Sequence, residues 1–336
     1  MPDTPLRPRL SVCMIVRNEA HTLPRCLQSI AGLYDELCIV DTGSTDDTLE
    51  LAARYGAKTS RFTDCNGPDG KIINFALARD AALALASGDW VLQIDADEIL
   101  ESGAEVLHEL LSLAKADYLG VTMRSEGGEW SSGRLFRRAK ALGYRSPIHE
   151  YLEVDGPFAK VPQIVIHNLP DKTGKESASD RNIRLCLLAL EQSPDEGRLL
   201  YYLGHEYRRL QRYEDAIACY SRALDLGNYP IGLFHSAYYL ALSQMLSYQF
   251  ADALVSAERA IAIDPRYAEG HCMAGDASSC LDDLTTARQH YLNALQCGQP
   301  PADAVLAVQR WTYDEHPRAR LAAIEQALAT DTSAVT

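Results

Sequence analysis

Two carboxylates close an apolar run at Val91-Leu92-Gln93-Ile94-Asp95-Ala96-Asp97-Glu98. The run reads as a buried strand, and a chain that turns between Asp95 and Asp97 lets both side chains face one small volume. Two hard oxygen ligands in that place suit Mg²⁺ or Mn²⁺, and such a metal suits a diphosphate. The chemistry implied is transfer from a nucleotide-activated donor. The structural alternative is an acidic turn after a strand, and the motif by itself does not separate the two.

The elements around it do. Leu10–Val16 reads as an apolar strand, and residues 20–32 have helical periodicity with Leu23, Leu27 and Ile30 on one face. Leu37–Val40 is a second strand, followed by the loop Asp41-Thr42-Gly43-Ser44-Thr45-Asp46-Asp47-Thr48 and a helix closed by Gly56. Asp46 and Asp47 read as helix-capping acids. A third strand spans 57–62, a turn-rich loop 64–70, a helix 74–86 and a fourth strand 91–95. Repeated β-α units imply a doubly wound, mostly parallel sheet, in which ligands bind beyond the carboxyl ends of the strands. Arg17-Asn18-Glu19, Asp41 and the pair Asp95/Asp97 all fall at that edge. Beyond it the pattern predicts a helix at 104–114, a strand at 118–124, a Gly-rich loop at 126–133, and strands at 134–137, 148–154 and 161–166.

After about Lys175 the chain turns helical throughout. The small residues Gly204, Ala241 and Gly275 are 37 and 34 residues apart, and each is followed by alanines at offsets of 12 and 19. This resembles the tetratricopeptide repeat, whose helices approach closely at small residues while large ones fill the space between. Three repeats and a trailing helix at 302–310 make a stable stack. Tyr201, Tyr202, Tyr207, Tyr220, Tyr238 and Tyr239 read mainly as packing, with some on the concave face.

Composition fits a globular protein of two domains. The net charge of −14, from 32 basic and 46 acidic residues, argues against an extended nucleic-acid surface. The start of the chain has no signal-peptide pattern and no run has the length of a membrane span. Nine scattered cysteines with no C-x-x-C pair read as reduced and buried, so the expected location is the cytoplasm.

Three motifs carry a family resemblance: Ser11-Val12-Cys13-Met14-Ile15-Val16-Arg17-Asn18-Glu19, Val40-Asp41-Thr42-Gly43-Ser44-Thr45-Asp46-Asp47-Thr48, and Gly88-Asp89-Trp90 with Asp95-Ala96-Asp97-Glu98. In order and spacing they resemble the nucleotide-binding half of family 2 glycosyltransferases, which have the GT-A fold. With the repeats, the chain is similar to bacterial family 2 enzymes with C-terminal repeats, among them S-glycosyltransferases of bacteriocin peptides. The front half also resembles glucosyltransferases of lipopolysaccharide core assembly. The resemblance implies a Rossmann-like GT-A domain over residues 1–172 and a helical repeat domain over 173–336. It implies inverting transfer of a hexose such as glucose from a UDP-sugar, with Mn²⁺ or Mg²⁺. Asp41 would contact the base, Val16, Arg17, Asn18 and Glu19 would line its pocket, and Arg79 would meet the donor. Asp97 would bind metal, Asp95 the ribose or a metal-bound water, and His167 would complete the metal shell or contact the diphosphate.

Transfer also needs a base for the acceptor. Glu150, in Ser146-Pro147-Ile148-His149-Glu150, is the leading candidate, with Asp155 and Glu129 as fallbacks; Glu129-Trp130 lies in the Gly-rich segment, placed to cover the sugar. His149 competes with His167 as the metal ligand. Lys172, Lys175 and Arg181 are phosphate contacts or a solvated linker. The acceptor is expected to be a peptide or protein reached through the repeats, with a saccharide or lipid-linked glycan as the alternative. The repeats could equally self-associate, or serve as an adaptor beside an idle transferase domain.

Overall fold

Strand β1 (Leu10–Val16) sets the two faces of the first unit. Its side chains alternate. Leu10, Val12, Met14 and Val16 enter one core with Leu23, Cys26, Leu27 and Ile30 of the first helix. Cys13 enters a second core with Val40, Ala76, Ala82, Val91 and Phe136. A strand buried on both faces must be covered by helices on both, which is the doubly wound arrangement.

The structure is a computed structural model that describes residues 7–171, 176–302, 304, 306 and 308–334. After β1 come α1 (Leu23–Ser29), β2 (Glu36–Asp41), α2 (Thr48–Arg54), β3 (Lys58–Arg61), α3 (Phe75–Leu85), β4 (Trp90–Gln93), β5 (Glu98–Ser102) and α4 (Leu107–Leu113). Then follow β6 (Tyr118–Ser125), β7 (Gly128–Arg137), β8 (Ala141–Arg145), β9 (Tyr151–Val154) and β10 (Phe158–Asn168). Among the described residues the main sheet has eight strands in the order β3-β2-β1-β4-β7-β6-β10-β5, and β8 pairs with β9. β1, β2, β3 and β4 run parallel, β7 is antiparallel to both its neighbours, and β10 is parallel to β6. This is the expected α/β domain.

Three local expectations are corrected. The Gly-rich segment 126–133 is not a covering loop. Most of it is strand β7, in a hairpin that pairs Arg124 with Glu129 and Met123 with Trp130. Its glycines serve the turn and a close approach: a Cβ on Gly133 would overlap the Tyr118 ring. β5 and β8 were not expected, because neither alternates clearly enough to stand out. The strand expected at 148–154 begins only at Tyr151, since Ser146 (φ 71°) and His149 (φ 50°) take left-handed backbone conformations that no strand admits.

The chain divides between Ser177 and Ala178. The second unit is helical: α5 (Ala178–Gln192), α6 (Gly197–Arg209), α7 (Tyr213–Leu226), α8 (Leu233–Leu246), α9 (Phe250–Ile263), α10 (Ala268–Cys280), α11 (Leu284–Cys297) and α12 (Glu315–Ala334). Pairs α6/α7, α8/α9 and α10/α11 are the three repeats. Their small anchors show why the period matters. A Cβ on Gly204 would lie 2.8 Å from Cε1 of Tyr220, and one on Gly275 would lie 2.7 Å from Cε1 of Tyr291. Both tyrosines are wholly buried. In the middle repeat the anchor is Ala241, and the residue at the tyrosine's place is Ala257, also buried. Large partner goes with no side chain, small partner with a methyl. Tyr201, Tyr207 and Tyr238 are buried, whereas Tyr202 and Tyr239 are partly exposed, with Arg198 and Arg208 4.9 and 4.8 Å from their ring centres.

The trailing helix expected at 302–310 is not found among the described residues. The described residues there are irregular up to a 3₁₀ turn at Arg310–Tyr313, and the helix that follows is α12. Tertiary contacts override local propensity: Glu269 of α10 accepts the Gln309 N–H at 2.6 Å and the Tyr313 hydroxyl at 2.9 Å. No helix among the described residues is long and apolar enough to cross a membrane.

Candidate active site

Strand parity places the central charges. On β4, Trp90 and Leu92 face the core shared with α1, whereas Val91 faces the core shared with α3. Gln93 and Asp95 continue on Val91's side, so the first carboxylate of the acidic turn meets α3. β7 pairs with β4 through Val91–Phe136 and Leu92–Leu135, which sets Arg134, two residues from Phe136, beside Gln93 on the same face.

Arg79 of α3 is the hub. Its Nη1 donates to Asp95 Oδ1 at 2.8 Å and its Nη2 to Asp95 Oδ2 at 3.2 Å, while Nε donates to Glu150 Oε1 at 2.5 Å. Arg134 adds an Nη2 bond to Glu98 Oε1 at 2.7 Å and lies 3.6 Å from Asp95 Oδ2. Glu98 in turn accepts the Asp95 N–H through Oε2 at 2.8 Å, which closes the acidic turn on itself. With its amide oriented to satisfy every neighbour, Gln93 accepts from both guanidiniums and donates to the Tyr144 hydroxyl at 3.0 Å. The side chains of Arg79, Arg134 and Glu150 are 10%, 12% and 12% exposed, so these are largely desolvated charges. Removing one partner of such a set leaves a buried charge uncompensated, at a cost of about 3–5 kcal/mol.

The two acids of the turn titrate in opposite directions. Burial by itself would raise Asp95, but Arg79 and Arg134 outweigh it and hold that carboxyl down at about 2. Burial, with Asp95 and Asp97 nearby, pushes Glu98 up to about 7 against the pull of Arg134. Burial would lower Arg79, and Asp95 and Glu150 more than reverse it.

The segment that carries Glu150 is docked on α3 twice. The Phe75 N–H, at the first turn of the helix, donates to Pro147 O at 2.9 Å, and Arg79 reaches Glu150 one turn later. Asn74 caps that helix by accepting the Leu77 N–H at 3.2 Å. The fallback acids lie elsewhere: Asp155 is 74% exposed and 3.5 Å from Lys140, and Glu129 pairs with Arg124 on the hairpin.

The loops after β1 and β2 interlock. Val16 O accepts the Thr42 N–H at 2.9 Å, Asn18 (φ 55°) donates its N–H to Ser44 Oγ and accepts from Thr45, and the Glu19 N–H donates to Thr48 Oγ1. Arg17 reaches Gly70 O at 2.5 Å, drawing in the 64–70 loop. Asp41 is wholly buried, and its carboxylate accepts the N–H groups of Ser44 and Gly43, so it shapes this loop from beneath. Asp46 joins the Ala20 and Thr48 N–H groups and ties the two loops together, beyond the capping expected of it.

For a metal, Asp97 offers a hard carboxylate, and its carbonyl accepts the Leu169 N–H at 2.9 Å, bringing the end of β10 to the turn. His167 pairs with Ile99, two residues along the strand from that bond, and its Nδ1 is 3.2 Å from Glu101 Oε2. His149 lies on the Pro147–Glu150 segment. Among the described residues no three of His, Cys, Asp and Glu converge as a metal cage. The donor set fits a cation shared with a diphosphate, because Mg²⁺ is commonly held by one or two carboxylates and substrate phosphates. The crowded negative charge that raises Glu98 fits it as well. Lys172 and Lys175 lie outside the described residues, and Arg181 is on α5, bonded to Asn182. A separate apolar cleft of about 610 Å³, lined by Val106, Leu110, Leu113 and Leu119, holds none of this chemistry.

The sequence reading missed Arg134 and Glu98. Glu98 stands within the acidic stretch, but its partner is 36 residues away on an antiparallel strand. Gln93 and Tyr144 were invisible for the same reason.

The chain is similar to known proteins. Residues 11–175 match the family described as glycosyl transferase family 2, and residues 197–226 match the tetratricopeptide repeat. A TPR repeat-containing protein of Synechococcus elongatus is 37% identical over 43% of this chain and 36% of its own. The SPbeta prophage-derived glycosyltransferase SunS of Bacillus subtilis is 25% identical over 62% of this chain and 52% of its own. An uncharacterized glycosyltransferase of Rickettsia felis is 34% identical over 27% of this chain and 30% of its own. The chain thus spans about a third to a half of the length of these relatives. Its first domain belongs to glycosyl transferase family 2, and its second carries the tetratricopeptide repeat.

Proposed function

We propose that the chain transfers a hexose, such as glucose, from a UDP-sugar to a peptide or protein acceptor with inversion at the anomeric carbon. One observation carries the reading: within a family 2 domain, a single guanidinium holds the donor-side carboxylate Asp95 and the candidate base Glu150. In the proposed step the acceptor attacks the anomeric carbon, the bond from that carbon to the UDP oxygen breaks, and UDP leaves with the electron pair. Glu150 takes the acceptor's proton on Oε2, since Oε1 is the oxygen bonded to Arg79. A Mn²⁺ or Mg²⁺ on Asp97 and the diphosphate would neutralise charge on the leaving group. The interlocked loops of Val16–Glu19 and Asp41–Thr48 bound the pocket for the nucleotide base. The repeats are the proposed acceptor-binding surface. Free cysteines, most of them buried, are consistent with a cytoplasmic location.

The test is incubation with UDP-glucose, Mn²⁺ and separate pools of peptides and glycans, read by mass spectrometry. A hexose mass gain on peptide supports the reading, and gain on glycans alone replaces the acceptor class. Absence of both transfer and UDP-glucose hydrolysis with any metal overturns it in favour of an adaptor. Asp97→Ala is expected to abolish Mn²⁺-dependent UDP binding in calorimetry. Unchanged binding removes the metal from Asp97.

A further inference from the structure

Three separate ties bring α3 to the segment that ends in Glu150. The Tyr144 N–H donates to Asp80 Oδ1 at 2.8 Å, the Phe75 N–H to Pro147 O at 2.9 Å, and Arg79 Nε to Glu150 Oε1 at 2.5 Å. The same helix grips the acidic turn through the two-pronged Arg79–Asp95 pair. Phe75 opens α3 and Arg79 lies four residues on, so the two contacts fall about one turn apart along the helix. Ser146 and His149 hold left-handed backbone conformations beside Glu150, a cost that persists only where surrounding contacts enforce it.

We infer that Arg79 is a positioning residue that fixes the distance and angle between the donor-side turn and the base. This rests on the transferase reading above. Four of the guanidinium's five donors are used, one on Gln93 and three on two carboxylates at different edges of the planar fork. A lysine keeps the charge but is a point donor on a flexible stem, so it holds one carboxylate and releases the other. Neither Asp95 nor Glu150 can be set independently of α3 while this arginine is in place.

The experiment is UDP-glucose hydrolysis by the full chain with Mn²⁺, where water stands in for the acceptor. Arg79→Lys is expected to lower kcat by about 10²-fold, the scale of a misplaced reacting group, with a much smaller change in KM. In an Arg79→Ala variant, added guanidinium restores part of the rate and an equal concentration of ammonium does not. In a Glu150→Gln background, Arg79→Lys lowers kcat by far less than about 10²-fold, because the placing of the base against the turn is already lost. A kcat unchanged in Arg79→Lys, or losses that multiply in the double variant, overturns the inference. If circular dichroism shows that Arg79→Lys does not fold, the Asp95→Asn/Glu150→Gln pair decides in the same way: losses that fall short of multiplying support the coupling, and multiplying losses overturn it. A wild-type protein inert toward UDP-sugars overturns the transferase reading and this one with it, whereas an active wild type with an unaffected Arg79→Lys overturns this one alone.

Discussion

The two units bury different things. The first buries charge: Arg79, Asp95, Arg134, Glu98 and Glu150 form one connected set at the end of β4, held by geometry that tolerates no loose end. The second buries shape, with Gly204 under Tyr220, Ala241 facing Ala257 and Gly275 under Tyr291. Buried ion pairs are a poor means of gaining stability, because desolvation offsets most of the attraction. Apolar complementarity is a good one. Where a domain accepts the first in place of the second, chemistry is the economical explanation.

Three experiments press on that contrast. Tyr220→Ala empties the space over Gly204 and is expected to destabilise the repeat unit by about 3–5 kcal/mol, read from its unfolding transition in urea. If the loss were below about 1 kcal/mol, packing would not be what holds the repeats.

The next concerns pH and the first unit. Glu98 has its folded pKa raised from 4.5 to about 7. Its protonated form therefore favours folding: the contribution is full below about 4.5 and is lost as pH rises through about 7. The loss is on the order of 3 kcal/mol. Asp95, held near 2, works the other way, losing its contribution only as pH falls toward that value, outside the same window. Urea titrations between these pH values should show stability falling in the wild type, and Glu98→Gln should flatten the slope.

The smallest effect tests a sign. In an open helix Gly→Ala gains about 1 kcal/mol. At Gly275 the new Cβ would stand 2.7 Å from the Tyr291 ring, and overpacking costs about 1–3 kcal/mol, so the net change should be a loss of about 1 kcal/mol. A rise in melting temperature would show that the ring yields.

What was legible in the sequence was local. β1 is read to the residue because a buried strand is a continuous apolar run, and Asn74 announces a helix start through its own capping bond. The repeats are legible because their packing rule recurs at a fixed spacing. The acidic turn is visible as a motif, but what controls its carboxylates is not. Arg79 and Glu150 are 71 residues apart, and only the docking of a loop on a helix brings them together. Arg134 reads as one more strand residue until β7 is laid antiparallel to β4. The Gly-rich hairpin misled for the opposite reason: glycine signals a turn and a tight approach alike, and here both occur within one segment.

The sheet's two borders have a consequence for behaviour in concentrated solution. A border strand offers unpaired peptide groups to any other chain that can add alongside it. Here one border is β3, the four residues Lys58-Thr59-Ser60-Arg61, and the other is β5, Glu98-Ile99-Leu100-Glu101-Ser102. Both are short and charged, basic on one side and acidic on the other. Like borders of two molecules repel, and brevity leaves little ladder to gain. With Glu98 buried against Arg134, it is the exposed Glu101 that sets a charge on this open end of the sheet and guards it against intermolecular strand addition.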